Sequence, residues 1–226
     1  MKNFKIGLIF SVVFLLFIGV GNSYATPYLE VTLNDGLGNS VTVQDLDNDG
    51  IVFYSGSVGS WTVNFTTGIT YPVIGSETEP ELDLNSINVY SGNGGNLNIQ
   101  LSANGYTHSG EGVLNIGGTT GGTVEANAYY DSGNNLFAHT TKIGSDLSFT
   151  SSTPPIIIAF SGNTQGLVLD TSPGAPYSLT IDIDIHQPVK GSTSFNASLA
   201  VPEPGTLLFL GAGLVGLGFV VRRRKR

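Results

Sequence analysis

The chain has 226 residues, nine Lys+Arg against 17 Asp+Glu for a formal charge of −8, and no cysteine. Seven of the basic residues lie in the first five and last five positions, leaving Lys142 and Lys190 against the 16 acidic residues of segment 26–201, a net of −14 there. Such a body repels nucleic acid and anionic lipid, which both require a basic footprint, and without cysteine it has no disulfide, thiolate nucleophile or thiolate metal site.

Lys2 and Lys5 precede an apolar run from Ile6 to Val20, and Ser23-Tyr24-Ala25 supplies a small-x-small cleavage pattern. This predicts a secretory signal peptide over residues 1–25, carried by a Sec translocon, cut by signal peptidase after Ala25 and leaving Thr26 as the mature start. The segment 26–200 is long enough to bury one core without covalent staples, so one domain is expected. It is dense in Gly, Asn, Ser and Thr with β-branched and aromatic residues between them, the composition of short strands joined by tight turns.

Tyr28–Leu33 and Val41–Val43 alternate around Asn34-Asp35-Gly36 and read as a hairpin, and Ile51–Tyr54 with Trp61–Phe65 reads as a second. Trp61, the only tryptophan, has Val63 on its face and is expected in the core. From Leu82 to Val89 the alternation changes phase at Asn85-Ser86, the mark of a bulge. Leu97–Leu101 is expected to pair back on that strand across Gly92–Gly95. Further strands are expected at 113–116, 124–129, 136–139, 147–149 and 156–160, the last continuously apolar and so expected to be covered on both faces. Tyr177–His186 has the cleanest alternation, with Leu179, Ile181, Ile183 and Ile185 on one side and Thr180, Asp182, Asp184 and His186 on the other. Phe195–Leu199 closes the domain. A dozen or so strands with no helical period imply an all-β fold, an antiparallel β-sandwich of jelly-roll type.

Asp45-Leu-Asp-Asn-Asp-Gly50 matches the D-x-D-x-D-G opening of a calcium loop, which makes Asp45, Asp47 and Asp49 candidate ligands. The twelfth position of an EF-type loop needs a Glu and here holds Gly56, so a solvated hairpin tip is the competing reading. Glu77, Glu79, Glu81 and Asp83 recur at every second residue, but Pro80 among them points to a solvent-facing loop. Asp182, Asp184 and His186 form a same-face row of the kind that can ligate a transition metal or simply face water. His108, His139 and His186 are the only histidines, and no serine sits in a G-x-S-x-G elbow. No catalytic residues are assigned.

The last stretch has three parts: Pro202-Glu203-Pro204, an uncharged apolar run of 16 residues from Thr206 to Val221, and the basic cluster Arg222, Arg223, Arg224, Lys225 and Arg226. As a helix the run is roughly 24 Å long, just short of a bilayer core of about 30 Å, and the basic cluster retains its own end in the cytoplasm. Gly211-Ala-Gly-Leu-Val-Gly216 satisfies G-x-G-x-x-G but follows no strand, so small residues in a membrane helix are the better reading.

Motif, span and basic cluster in this order resemble the PEP-CTERM sorting tail of exported proteins in Gram-negative bacteria that make extracellular polysaccharide. The resemblance covers residues 201–226. It implies that Pro202, Glu203 and Pro204 are read by a membrane-embedded exosortase that removes the tail. The expected protein is thus held transiently in the inner membrane by its C-terminal helix and then placed at the cell surface or in the biofilm matrix. Three readings of the body follow: a non-catalytic structural or adhesive domain, a carbohydrate-binding sandwich with or without calcium, and a polysaccharide-acting enzyme. Tyr54, Tyr71, Tyr90, Tyr106, Tyr129 and Tyr130 are the candidates for stacking on sugar.

Overall fold

Strand-period alternation between glycine-rich turns organises the body. In the computed structural model, which describes residues 28–76, 79–168 and 175–202, these residues form thirteen β-strands and no helix. One sheet has the edge-to-edge order β10 (Leu147–Thr150), β8 (Thr123–Asp131), β12 (Tyr177–Gln187), β6 (Gly95–Tyr106), β1 (Leu29–Asn34) and β2 (Ser40–Gln44), with the short β9 (Thr141–Lys142) also paired to β8. The other has the order β11 (Ile158–Val168), β7 (Gly110–Thr120), β13 (Gly191–Ala200), β5 (Glu81–Ser91), β4 (Trp61–Ile69) and β3 (Ile51–Val58). Every pairing is antiparallel.

One core lies between the two sheets. The apolar side of β12 runs down its middle: Leu179, Ile181 and Ile183 are fully buried, opposite Ala103, Leu101 and Ile99 on β6 and Tyr130, Ala128 and Ala126 on β8. Trp61, Leu82, Leu84, Leu114 and Leu199 enter from the six-stranded sheet. Burying each such side chain stabilises by about 1.5–3 kcal/mol, which is how a chain without disulfides holds two sheets together. The phase change on β5 is a bulge: Ser86 has φ 58°, its N–H donates to Asn196 Oδ1 at 2.7 Å, and the β13 register skips from Ile87 to Leu84.

Three expectations are corrected. Residues 97–101 do not pair with β5; β6 crosses to the other sheet and pairs with β1 and β12. The connection is made by Gly94, with φ 81°, where an added Cβ would lie 2.5 Å from the Gln187 carbonyl. It thereby packs against the β12–β13 turn, which crosses between the sheets beside it. Residues 136–139 are not a strand, because Asn134 and Phe137 take positive φ and the segment curls into a loop. The run 156–160 is not covered on both faces: β11 is an edge strand, and Ile156 and Ile157 are 60% and 56% exposed.

Candidate functional site

The polar side of β12 becomes the floor of a groove because a loop is laid across part of it. Asp131, at the end of β8, holds this loop. Its Oδ2 accepts from the backbone N–H and side-chain amide of Asn135 at 2.9 Å each, and its Oδ1 accepts from Thr140 Oγ1 at 2.6 Å. Burial alone raises the Asp131 carboxyl pKa, and the donors Thr140 and Asn135 outweigh it, so the group sits below its ordinary range. The loop is pinned to the sheet by Phe137 N–H donating to Ser102 Oγ at 3.0 Å and Ser178 Oγ–H donating to the Asn135 carbonyl at 2.6 Å. Thr180 and Ser102 are thereby buried on what the alternation alone presents as an exposed face.

The loop delivers His139. Its ring stacks on Tyr129 with centroids 4.1 Å apart and planes 4° from parallel, and Nε2 lies 3.2 Å from Gln100 Nε2 and 3.6 Å from Asp182 Oδ2. Asp182 is only 5% exposed, so burial raises its pKa; Asn98 counters this and the neighbouring Asp184 adds to it. One amide serves both carboxylates, since Asn98 Nδ2 donates to Asp182 Oδ1 at 2.6 Å and to Asp184 Oδ1 at 3.0 Å. The groove holds about 450 Å³ between the Asn34–Gly36 turn and His139. A second hollow of about 250 Å³ adjoins it, sharing Asn96 and Asp184 and adding Glu125 and His186. There His186 Nδ1 is 2.7 Å from Asn96 Oδ1.

The sequence-predicted row of Asp182, Asp184 and His186 does share this face, but His186 is bonded to Asn96 and the row does not converge on one point. His139 and the amides Asn98 and Gln100, which complete the groove, had no local sequence signal; cross-strand register brings the two amides to β12, and the loop held by Asp131 brings His139. Asp182 and Asp184 stand side by side on one strand rather than facing each other. Among the described residues no serine hydroxyl bonds a histidine ring.

Among the described residues, the group arranged to hold a metal is Asp45, Asp47 and Asp49, whose ligand oxygens lie within 4.8 Å of one another. Asp45 is already occupied: Oδ1 accepts from Asp49 N–H at 3.2 Å and Oδ2 from Gly50 N–H at 2.9 Å, while Asp49 Oδ1 accepts from Ile51 N–H at 2.9 Å. Carboxylates committed to backbone donors close the loop by themselves, and oxygens spaced this way also fit a hard cation. Glu79 and Ser76 form a turn before Pro80, with Glu79 N–H donating to Ser76 Oγ at 2.9 Å.

The tyrosines do not line up outwards. Tyr106 and Tyr130 are buried in the core, Tyr54, Tyr71 and Tyr129 are half-buried, and Tyr90 is 45% exposed. The outer face of the six-stranded sheet carries a different hollow, about 500 Å³, crossed by the register row Asp83–Ser198–Asn115–Asn163.

The last strand ends at the sorting segment. Val201 is fully buried and donates its N–H to the Pro80 carbonyl at 2.9 Å, and Pro202 is exposed beyond it. The family model of the PEP-CTERM protein-sorting motif matches residues 200–225. The chain carries a PEP-CTERM sorting tail. The tail marks an exported protein and implies processing by an exosortase. Glu203, Pro204, the apolar run 206–221, Arg222–Arg226 and the signal segment with Ser23 and Ala25 lie outside the described residues. Among the described residues no helix is long and apolar enough to cross a membrane.

No curated protein matches the chain. Solved structures with partial likeness include TmCBM61 in complex with β-1,4-galactotriose, at 11% identity, TM-score 0.31, covering 65% of this chain and 92% of that one. The K1 cleaved adhesin domain of Lys-gingipain from Porphyromonas gingivalis W83 matches at 12% identity, TM-score 0.32, covering 69% and 99%. The PA14 sugar-binding domain from an RTX adhesin matches at 8% identity, TM-score 0.32, covering 77% and 90%. At these scores the likeness carries no argument about what the PEP-CTERM protein binds.

Proposed function

We propose that this is an exported, non-catalytic β-sandwich of jelly-roll type, delivered by its sorting tail to the cell surface or extracellular matrix for a structural or adhesive role. The observation that carries the reading is the direct junction of body and tail: the matched motif begins at Ala200, the last residue of β13, so the two-sheet domain is what the tail transports. The crossings β5–β6, β7–β8 and β12–β13, each joining consecutive strands in opposite sheets, support the jelly-roll type. Side-by-side carboxylates and histidines without a serine partner support a non-catalytic body. In this reading residues 1–25 are the signal peptide and 206–221 form the transient inner-membrane helix, with Arg222–Arg226 in the cytoplasm. The test is fractionation of the native host with and without its exosortase: the protein is expected in the surface or matrix fraction without its tail, and uncut in the inner membrane when the enzyme is missing. A cytoplasmic location overturns it.

A second reading, carbohydrate binding, is favoured by the row Asp83–Ser198–Asn115–Asn163 on the six-stranded sheet. Amide, hydroxyl and carboxylate groups spaced by neighbouring strands, about 4.8 Å apart, suit a ligand rich in hydroxyls. Tyrosine burial weighs against stacking as its source of affinity. Glycan-array binding of the full chain, with and without chelator, tests this reading and any assistance from calcium at Asp45, Asp47 and Asp49. Loss of no glycan signal on Asn115→Ala removes the row as the site.

A further inference from the structure

The point where the chain leaves the body is clamped from two sides. β13 ends at Ala200, and Val201 after it is fully buried and donates its N–H to the Pro80 carbonyl at 2.9 Å. Pro202, the first residue of the sorting motif, is exposed, yet its carbonyl lies against the start of β7. A Cβ built on Gly110 would stand 3.0 Å from the Pro202 oxygen and 3.0 Å from Val201 Cγ1. Side chains rarely approach a neighbour so closely, so the absence of one at Gly110 is what lets the motif's first peptide lie on the body. The turn that brings Gly110 there, residues 107–109 between β6 and β7, is tied down by the buried Tyr177, whose Oη–H donates to the His108 carbonyl.

Between this clamp and the apolar run stand only the four residues 202–205, which reach at most about 14 Å when fully extended. Prolines at 202 and 204 fix φ at two of them. The other chain end leaves from the same place in the fold. Leu29 of β1 is paired with Ala103 near the end of β6, and Tyr28 N–H donates to Asn104 Oδ1 at 3.3 Å. Both ends of the body therefore emerge beside the 107–109 turn, while the turns at 35–39, 92–94 and 188–190 lie at the opposite end of the sandwich. An exosortase that binds residues 202–204 meets the folded body at once, and it receives a peptide whose upstream end is already held. A segment ordered before binding loses less conformational freedom on recognition.

We propose that the exosortase recognises the folded body together with the motif, docking on the end that carries the 107–109 turn, and that Gly110 is a positioning residue that sets the direction in which the motif leaves Val201. The inference rests on the tail-processed reading above and goes beyond it, since that reading needs only the linear motif.

The test follows tail loss from the full chain in its native host by pulse-chase. A short Gly-Ser spacer inserted between Val201 and Pro202 leaves the motif and the core unchanged. It should slow tail loss at least about fivefold, because it returns to the motif the freedom that the clamp removes. Gly110→Val should also slow tail loss, since a branched side chain there displaces the Pro202 carbonyl. In the spacer background the same substitution should change the rate by less than about twofold, because the two changes act on one junction and are not additive. Unchanged or faster tail loss with the spacer overturns the proposal, and a faster rate would mean that the body obstructs the enzyme. Equal slowing by Gly110→Val with and without the spacer overturns the role of Gly110, since the substitution would then act through folding. If Gly110→Val lowers the melting temperature, the spacer comparison alone decides. Glu203→Ala separates this inference from the reading beneath it. If Glu203→Ala blocks cleavage while the spacer chain is cut at the wild-type rate, tail processing stands and only the role of the body falls. If Glu203→Ala is cut at the wild-type rate, recognition of the motif itself falls.

Discussion

The chain uses two aspartate-rich sets in opposite ways. In the 45–50 loop Asp45 turns inward on its own segment, 2% exposed and accepting two backbone N–H groups, while Asp47 and Asp49 stay exposed. On β12 the carboxylates of Asp182 and Asp184 are held by the neighbouring strand, through Asn98. Asp45 is thus satisfied locally and has little left to offer a ligand. The second set is fixed by the sheet, keeps free acceptor capacity and faces a groove. A D-x-D pattern therefore indicates little until its donors are known.

Substitutions sharpen this contrast, and the largest effect is expected on neither acidic set. Ile183→Ala, on the buried side of β12 between the two aspartates, should cost about 2–5 kcal/mol in urea unfolding, because it leaves a cavity in the core beneath the groove. A smaller loss would mean the inner side of β12 does not carry the sheet. Next, Asp45→Ala should cost about 1–3 kcal/mol by orphaning the N–H groups of Asp49 and Gly50, while Asp47→Ala, exposed, should stay within about 0.5 kcal/mol. Equal effects would erase the distinction drawn for the loop.

Asp182 gives a pH signature of opposite sense to a salt-bridged carboxylate. Its folded pKa is raised above the unfolded value, by burial first, so the folded state binds more protons between the two values. Stability therefore falls as pH rises from the unfolded pKa through the folded one, and is highest, for this group, below both. Asp182→Asn should flatten that slope and raise stability at neutral pH relative to acid; unfolding curves at several pH values check it, and an unchanged slope discards the argument. The smallest effect concerns calcium. With Asp45 already bonded to the backbone, adding millimolar calcium should move the melting temperature by less than about 2 °C, and a rise of several degrees by mass action would show a specific site instead.

The legible part of the fold was the part with a local cause. Alternation in β12, the Asn34–Gly36 hairpin, the bulge at Asn85-Ser86 and the burial of Trp61 follow from side-chain period and turn chemistry, and all are present. The failures share a reason. Pairing of 97–101 with β5, a strand at 136–139 and two-sided cover of 156–160 each required knowing which distant segment would arrive. Gly94 lies against the β12–β13 turn, Asp131 folds the 132–140 loop onto Ser102, and β11 has a neighbour on one side only.

By itself the sequence determined that this is an exported, acidic, all-β protein with a PEP-CTERM tail, because charge, strand period and a linear sorting motif are properties of contiguous residues. Only the tertiary structure decided that His139, Asn98 and Gln100 meet Asp182 in a groove while Tyr106 and Tyr130 turn into the core. Those contacts join residues as far apart as 98 and 184, and antiparallel register across separate strands, not spacing along the chain, sets which side chains share a face.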